Sequence, residues 1–167
     1  MLGYFDIIRA AFLLLEPEER RTPMPADFII KTGDMIRITI FPPAVVPPLA
    51  APIPLIGTST DMTVGNMPVC LEGDELPPPL KAPLPYTAPP FVTPGMGTVS
   101  VTLTPMNKTM MTKAGKAILI KGTPFVAEFT VSAPAMQPTP GGPVPDPVAK
   151  KPGMAEFITT NVQVKAG

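Results

Sequence analysis

The chain has 167 residues, 27 of them proline and none of them histidine or tryptophan, and its 13 basic and 13 acidic side chains cancel. That length fits one domain with a real core, while balanced charge without a long Lys/Arg run leaves no footprint for a nucleic-acid backbone. Absent histidine removes imidazole as base or metal ligand, and the single cysteine, Cys70, removes any internal disulfide framework and fits a reducing compartment.

Residues 1–22 come first. Leu2, Phe5, Ile8, Phe12 and Leu15 recur at helical spacing up to Pro17, which predicts one amphipathic helix of about four turns and a linker. Asp6 and Arg9 interrupt it too early for a membrane span, and it lacks the pattern of a secretory leader. Its apolar stripe is expected to pack on the body of the protein or on a partner protein, with a helix lying in the plane of a membrane, or one that handles cargo, as the alternatives.

From residue 23 onward the helical period gives way to short runs rich in Val, Ile, Thr and Phe: ADFIIKTGDMIRITIF, DMTVGNMPVCLEG, GTVSVTLTP, KAILIKGTPFVAEFTVSA and AEFITTNVQVKA. Such runs predict an all-β domain over 23–167. Between them lie proline-dense connectors at 42–54, 77–94 and 134–152, which hold 21 of the 27 prolines. Proline lacks the ladder donor and fixes φ, so these stretches are expected to run as semi-rigid surface loops.

Connector and strand alternate, which prompts a search for repetition. Aligning Pro68 with Pro124 matches Val64 with Ile120 and Val69 with Phe125, around turns at Gly65-Asn66 and Lys121-Gly122. Each module then reads as a hairpin whose outgoing arm begins at the proline. The ending ITTNVQVKAG supplies a truncated third copy through Val162 and Val164, with Val164 in the place of Val64. A Gly-Asp pair also occurs twice, at Gly33-Asp34 and Gly73-Asp74.

With Gly33-Asp34, Gly57-Thr58-Ser59, Val64 to Asp74, Ile120 to Ala127 and Thr160 to Val164 in view, residues 27–167 resemble the PAAR-repeat tips of contractile injection machines, including type VI secretion and phage-tail-like particles. The resemblance implies a small cone of β hairpins with pseudo-threefold symmetry. It implies capping of a trimeric β-helical spike protein, transient contact with a target membrane during piercing, and possible cargo or effector attachment at the N-terminal helix. It further implies assembly in the cytoplasm and delivery to or through a target envelope on firing. Departures are plain: the motif's arginine position holds Leu71 in one copy and Ala127 in the other, and Phe129-Thr130 replaces the second Gly-Asp. Relatives commonly hold a metal near the apex, but a tetrahedral site needs about four N or S ligands, and Cys70 alone cannot supply them. No metal and no cofactor are expected.

Catalysis has little to work with. Asp34, Asp61, Glu72, Asp74 and Glu75 could form an acid–base pair or an oxygen-ligand site in a small hydrolase, but aspartates beside glycine more often cap backbone groups. No phosphate-binding loop and no serine nucleophile with its base are present. The expectation is a structural protein and no enzyme. The alternative from another class is a proline-rich β adaptor that recruits peptides through its polyproline II loops.

Overall fold

The computed structural model describes residues 26–113 and 115–167, so the helix expected within 1–22 lies outside the described residues. The described residues are all-β, as expected. In chain order the strands are β1 (Asp27–Phe28), β2 (Met35–Ile40), β3 (Ile53–Pro54), β4 (Thr63–Val64), β5 (Met67–Pro68), β6 (Leu84–Ala88) and β7 (Phe91–Thr102). They continue with β8 (Lys108–Lys113), β9 (Lys116–Leu119), β10 (Phe125–Ala133), β11 (Met136–Gln137), β12 (Val144–Pro145), β13 (Lys150–Ile158) and β14 (Lys165–Ala166).

Eight of these form one antiparallel sheet in the order β12-β11-β7-β10-β13-β2-β3, with β6 also on β7. Alternation decides which face is buried. Ile36, Ile38 and Ile40 of β2, Phe125, Ala127 and Phe129 of β10, and Ala155 and Phe157 of β13 point into the core, while Thr39, Val126 and Met154 face out. Phe125 and Phe157 pack at 4.8 Å between ring centroids, and Phe129 meets Tyr86 edge-on at 5.4 Å. Gly95 and Gly97 of β7 make room for those last two rings, because a Cβ at either position would collide with the Tyr86 or Phe129 ring.

The connectors differ in part from expectation. Pro47–Leu49 and Pro78–Leu80 each form a single 3-10 turn that drops a leucine into the core. Yet β6 lies wholly within 77–94, and β13 takes in the last residues of 134–152. Pro85, Pro94 and Pro152 therefore sit inside strands. Pro152 is tolerated in a central strand because it lies past the last β2 pair, Gly153 with Ile40, so that no β2 residue needs its missing N–H, while its carbonyl still accepts from Phe41 N–H at 2.9 Å. A connector that supplies Leu80 and Tyr86 to the core cannot be removed as a free loop.

Candidate functional site

Outside the main sheet, three two-stranded antiparallel ribbons stand apart: β14 with β1, β4 with β5, and β8 with β9. Each ribbon feeds a short segment, Ile29–Lys31, Val69–Leu71 and Ile118–Ile120. Those three segments bond to one another in a ring. Ile30 N–H donates to the Leu119 carbonyl at 2.9 Å, Leu119 N–H to Cys70 at 3.0 Å, and Cys70 N–H back to Ile30 at 2.9 Å.

A second ring surrounds the first. Thr32 donates to Pro68 at 2.8 Å, Glu72 to Ala117 at 2.9 Å and Lys121 to Phe28 at 2.9 Å. The isolated bridges obey the same rotation, pairing Ile29 with Ile120, Lys31 with Val69 and Leu71 with Ile118. The layer is pseudo-threefold at the level of single backbone bonds. Alternation along each segment again separates two faces: Ile30, Cys70 and Leu119 join the main core, whereas Ile29, Val69, Leu71, Ile118 and Ile120 build a second one with Val64.

This ring corrects the repeat register expected from sequence. Val69 corresponds to Ile29 and Ile118, so Pro124 is not the counterpart of Pro68. Pro68 ends β5 inside a ribbon, while Pro124 precedes β10, which lies between β7 and β13 in the main sheet. Lys116–Leu119 and Phe125–Ala133 do not pair, so that module is no hairpin about Lys121-Gly122. Its hairpin is β8 with β9. Gly122 (φ +54) turns the chain away, and a Cβ there would run into the Met106 carbonyl. The Gly65-Asn66 hairpin does form, with both residues at positive φ as a tight two-residue turn requires.

Gly33, Gly73 and Gly122 now fall at one equivalent position, all with positive φ. The residue after each is Asp34, Asp74 or Thr123. Asp34 is fully buried and accepts from Lys31 N–H, Thr159 Oγ1–H, Thr160 N–H and Thr160 Oγ1–H at 2.7 to 3.0 Å. Asp74 does the same work in its own module, accepting from Leu71 N–H and from the amide and hydroxyl of Thr58. Each carboxylate ties a ring segment to the Thr-bearing stretch that precedes its ribbon. In the third module Asn107 takes over, donating from Nδ2 to the Lys121 and Thr123 carbonyls.

The truncated copy also shifts by two residues. Lys165 faces Phe28 as Thr63 faces Pro68, so Ala166 corresponds to Val64 and Val164 to Met62. The backbone agrees: Ile29 N–H donates to Val164 O at 3.1 Å, and Val69 N–H to Met62 O at 3.0 Å. Val162 lies before the strand and is 75% exposed. One module is thus split, its incoming arm at residues 160–166 and its outgoing arm at 27–34. Asn161 locks the two halves by donating from Nδ2 to the Ile29 and Val164 carbonyls.

The chemistry of this layer is structural. Burial first, then the charges of Asp74 and Asp34, push the Cys70 thiol up to about 12. Cys70 stands on a segment centred between Ile30 and Leu119, neither of which carries a metal-ligating group, whereas a tetrahedral site needs about four N or S ligands. Among the described residues no group of three or more Cys, Asp or Glu is placed to hold one. The carboxylates of Asp61 and Glu72 pair with Lys113 and Lys108. Among the described residues no helix is long and apolar enough to cross a membrane.

An all-β body built on a pseudo-threefold ring of short strands, with Asp34 and Asp74 each held by donors of its own module, has the class of architecture of an assembly protein. Residues 24–167 match the family described as contractile injection system spike tip protein, and the chain belongs to that family. Its place is in the spike-tip part of a contractile injection particle, associated with the spike. No curated protein matches the sequence.

Proposed function

We propose that the chain caps the blunt end of a trimeric β-helical spike through its pseudo-threefold layer, as a non-catalytic tip that leads the spike into a target envelope. The two rings of backbone bonds carry this reading, since a face with threefold-related strands meets a trimer without mismatch. Each ribbon contributes one outer strand, β14, β4 or β8, which among the described residues pairs with no strand but its ribbon partner and so offers an edge to extend the ladder of one spike chain. Asp34 and Asp74, saturated by donors from their own module, serve architecture rather than acid–base chemistry. Assembly in the cytoplasm, delivery on firing and cargo attachment through residues 1–22 complete the proposal.

The test is recovery of the tagged full chain from a lysate of its source. A spike-type protein should come down at about one tip per three spike chains, the ratio that a pseudo-trimer on a trimer demands. Recovery of the chain alone under several salt conditions would sink the reading.

A further inference from the structure

β2 leaves the ring at Asp34 and reaches Phe41 roughly 20 Å further along the strand. There a cavity of about 340 Å³ opens between Phe41, Pro43, Ala88, Phe91, Pro147 and Val148, with Asp146 and Lys151 in its wall. Its size falls at the lower end of ligand pockets, about 300–1,000 Å³. The walls other than that pair are apolar side chains.

The pair itself is unusual. Lys151 Nζ donates to Asp146 Oδ2 at 2.7 Å, the two side chains are only 6% and 3% exposed, and the ammonium lies 4.9 Å from the centroid of the Tyr86 ring. Asp146 is well supplied, accepting also from Tyr86 Oη–H and Val148 N–H. Lys151 is less so: an ammonium has three donors, and Asp146 is its one hydrogen-bond acceptor among the described residues.

A buried ion pair contributes little net stability against an apolar replacement, so a lysine with one acceptor, in the wall of an otherwise apolar cavity, suits a ligand carrying an acceptor. Charge limits the choice. The pair is already neutral, and an acidic ligand would leave a net charge in a desolvated site. The apolar side chains give an incoming N–H no acceptor, and the Asp146 carboxylate already takes three donors. A proline-containing polyproline II segment meets all three conditions, with carbonyl acceptors, few N–H donors and a ridged apolar surface that docks on aromatic-lined grooves. We propose that this cavity binds an uncharged, extended, proline-containing peptide segment, one main-chain carbonyl of which accepts from Lys151.

The experiment titrates acetylated, amidated hexaproline into the ¹⁵N-labelled full chain, with a Gly-Ser peptide of equal length as control. Saturable amide shifts at Ala44, Ala88 and Val148 are expected from hexaproline alone. Phe41→Ala removes an exposed rim ring outside the ion pair and should weaken binding about tenfold or more, with the melting temperature unchanged. The double variant Asp146→Leu/Lys151→Met, which removes the donor without stranding its partner, should also lose binding. Absence of saturable shifts, or equal binding by either variant, overturns the proposal. So do shifts produced by sodium decanoate and not by hexaproline, which would assign the cavity to acyl chains. Shifts on raising protein concentration alone would assign it to a second copy and overturn it likewise.

Discussion

Asp34 shows how a residue that looks catalytic in the sequence is consumed by architecture. Four donors converge on its two oxygens, and a buried acceptor removed leaves them all without a partner. Asp34→Ala and Asp74→Ala should each lower unfolding free energy by about 1–3 kcal/mol in urea titration. The hydrolase alternative predicts unchanged stability instead. Asp146 differs because its charge is matched. Burial pushes its carboxyl up, but the Lys151 ammonium, the Val148 N–H and the Tyr86 hydroxyl outweigh that and hold it below the ordinary 3.8. A carboxyl with a folded pKa below its unfolded one stabilises fully above the unfolded value and loses that contribution as pH falls through the folded value. Urea midpoints of the wild type should therefore drop as pH is lowered below about 4, and the drop should be shallower in Asp146→Leu/Lys151→Met. Lys151→Met alone strands a buried carboxylate and should cost about 3–5 kcal/mol, more than the double variant.

Ribbons and ring segments are the elements that matter most, and the split one is the easiest to test. Residues 160–167 supply β14, the Asn161 lock and, in Thr160, two of the donors on which Asp34 depends. Ending the chain after Thr159 should strip hydrogen-exchange protection from Ile29 and Lys31, while Thr39 and Phe129 in the main sheet keep theirs. Equal loss in both regions would mean that ring and sheet unfold as one unit. At this scale the sequence disclosed strand content readily, because alternation and β-branched runs are local properties. It disclosed the Gly65-Asn66 turn for the same reason. The register of the repeat was harder. Pro68 and Pro124 look alike locally, yet the residues after Pro68 bond into the ring, whereas those after Pro124 are drawn between β7 and β13 by Phe125 and Phe129. The usable signal was the pair Gly33-Asp34 and Gly73-Asp74, which marks the true equivalence at a spacing of 40 residues. The third member, Gly122-Thr123, hides because Asn107 replaces the aspartate from a distant point in the chain. Nor could any local window show that residues 160–166 complete a module begun at 27.

At the scale of the whole molecule, the ring makes the chain's order cyclic. β14 lies against β1 in the register in which β4 lies against β5, so Ala166 and Asp27 face each other as Val64 and Met67 do across Gly65-Asn66. Three ribbons therefore point the same kind of end outward, with a covalent turn in two of them and the described residues 26 and 167 in the third. If symmetry of the ring, and not the order of the chain, specifies the fold, the connection can be moved from one ribbon to another. A circular permutant joining Ala166 to Asp27 through Asn-Gly and opened between Gly65 and Asn66 keeps every ring bond and every main-sheet strand. The new two-residue loop is of the type that antiparallel pairs favour, and opening the old one costs only the closure of a short turn. The permutant should unfold cooperatively, with a far-ultraviolet circular dichroism spectrum like that of residues 26–167 and a change in stability of about 2 kcal/mol or less. If docking runs through the outer strands as proposed, it should also still bind the spike, because β14, β4 and β8 are retained. A permutant that folds yet fails to bind would separate the ring's symmetry from docking. One that fails to fold would show that β4 and β5 must be joined for their segment to reach the ring at all.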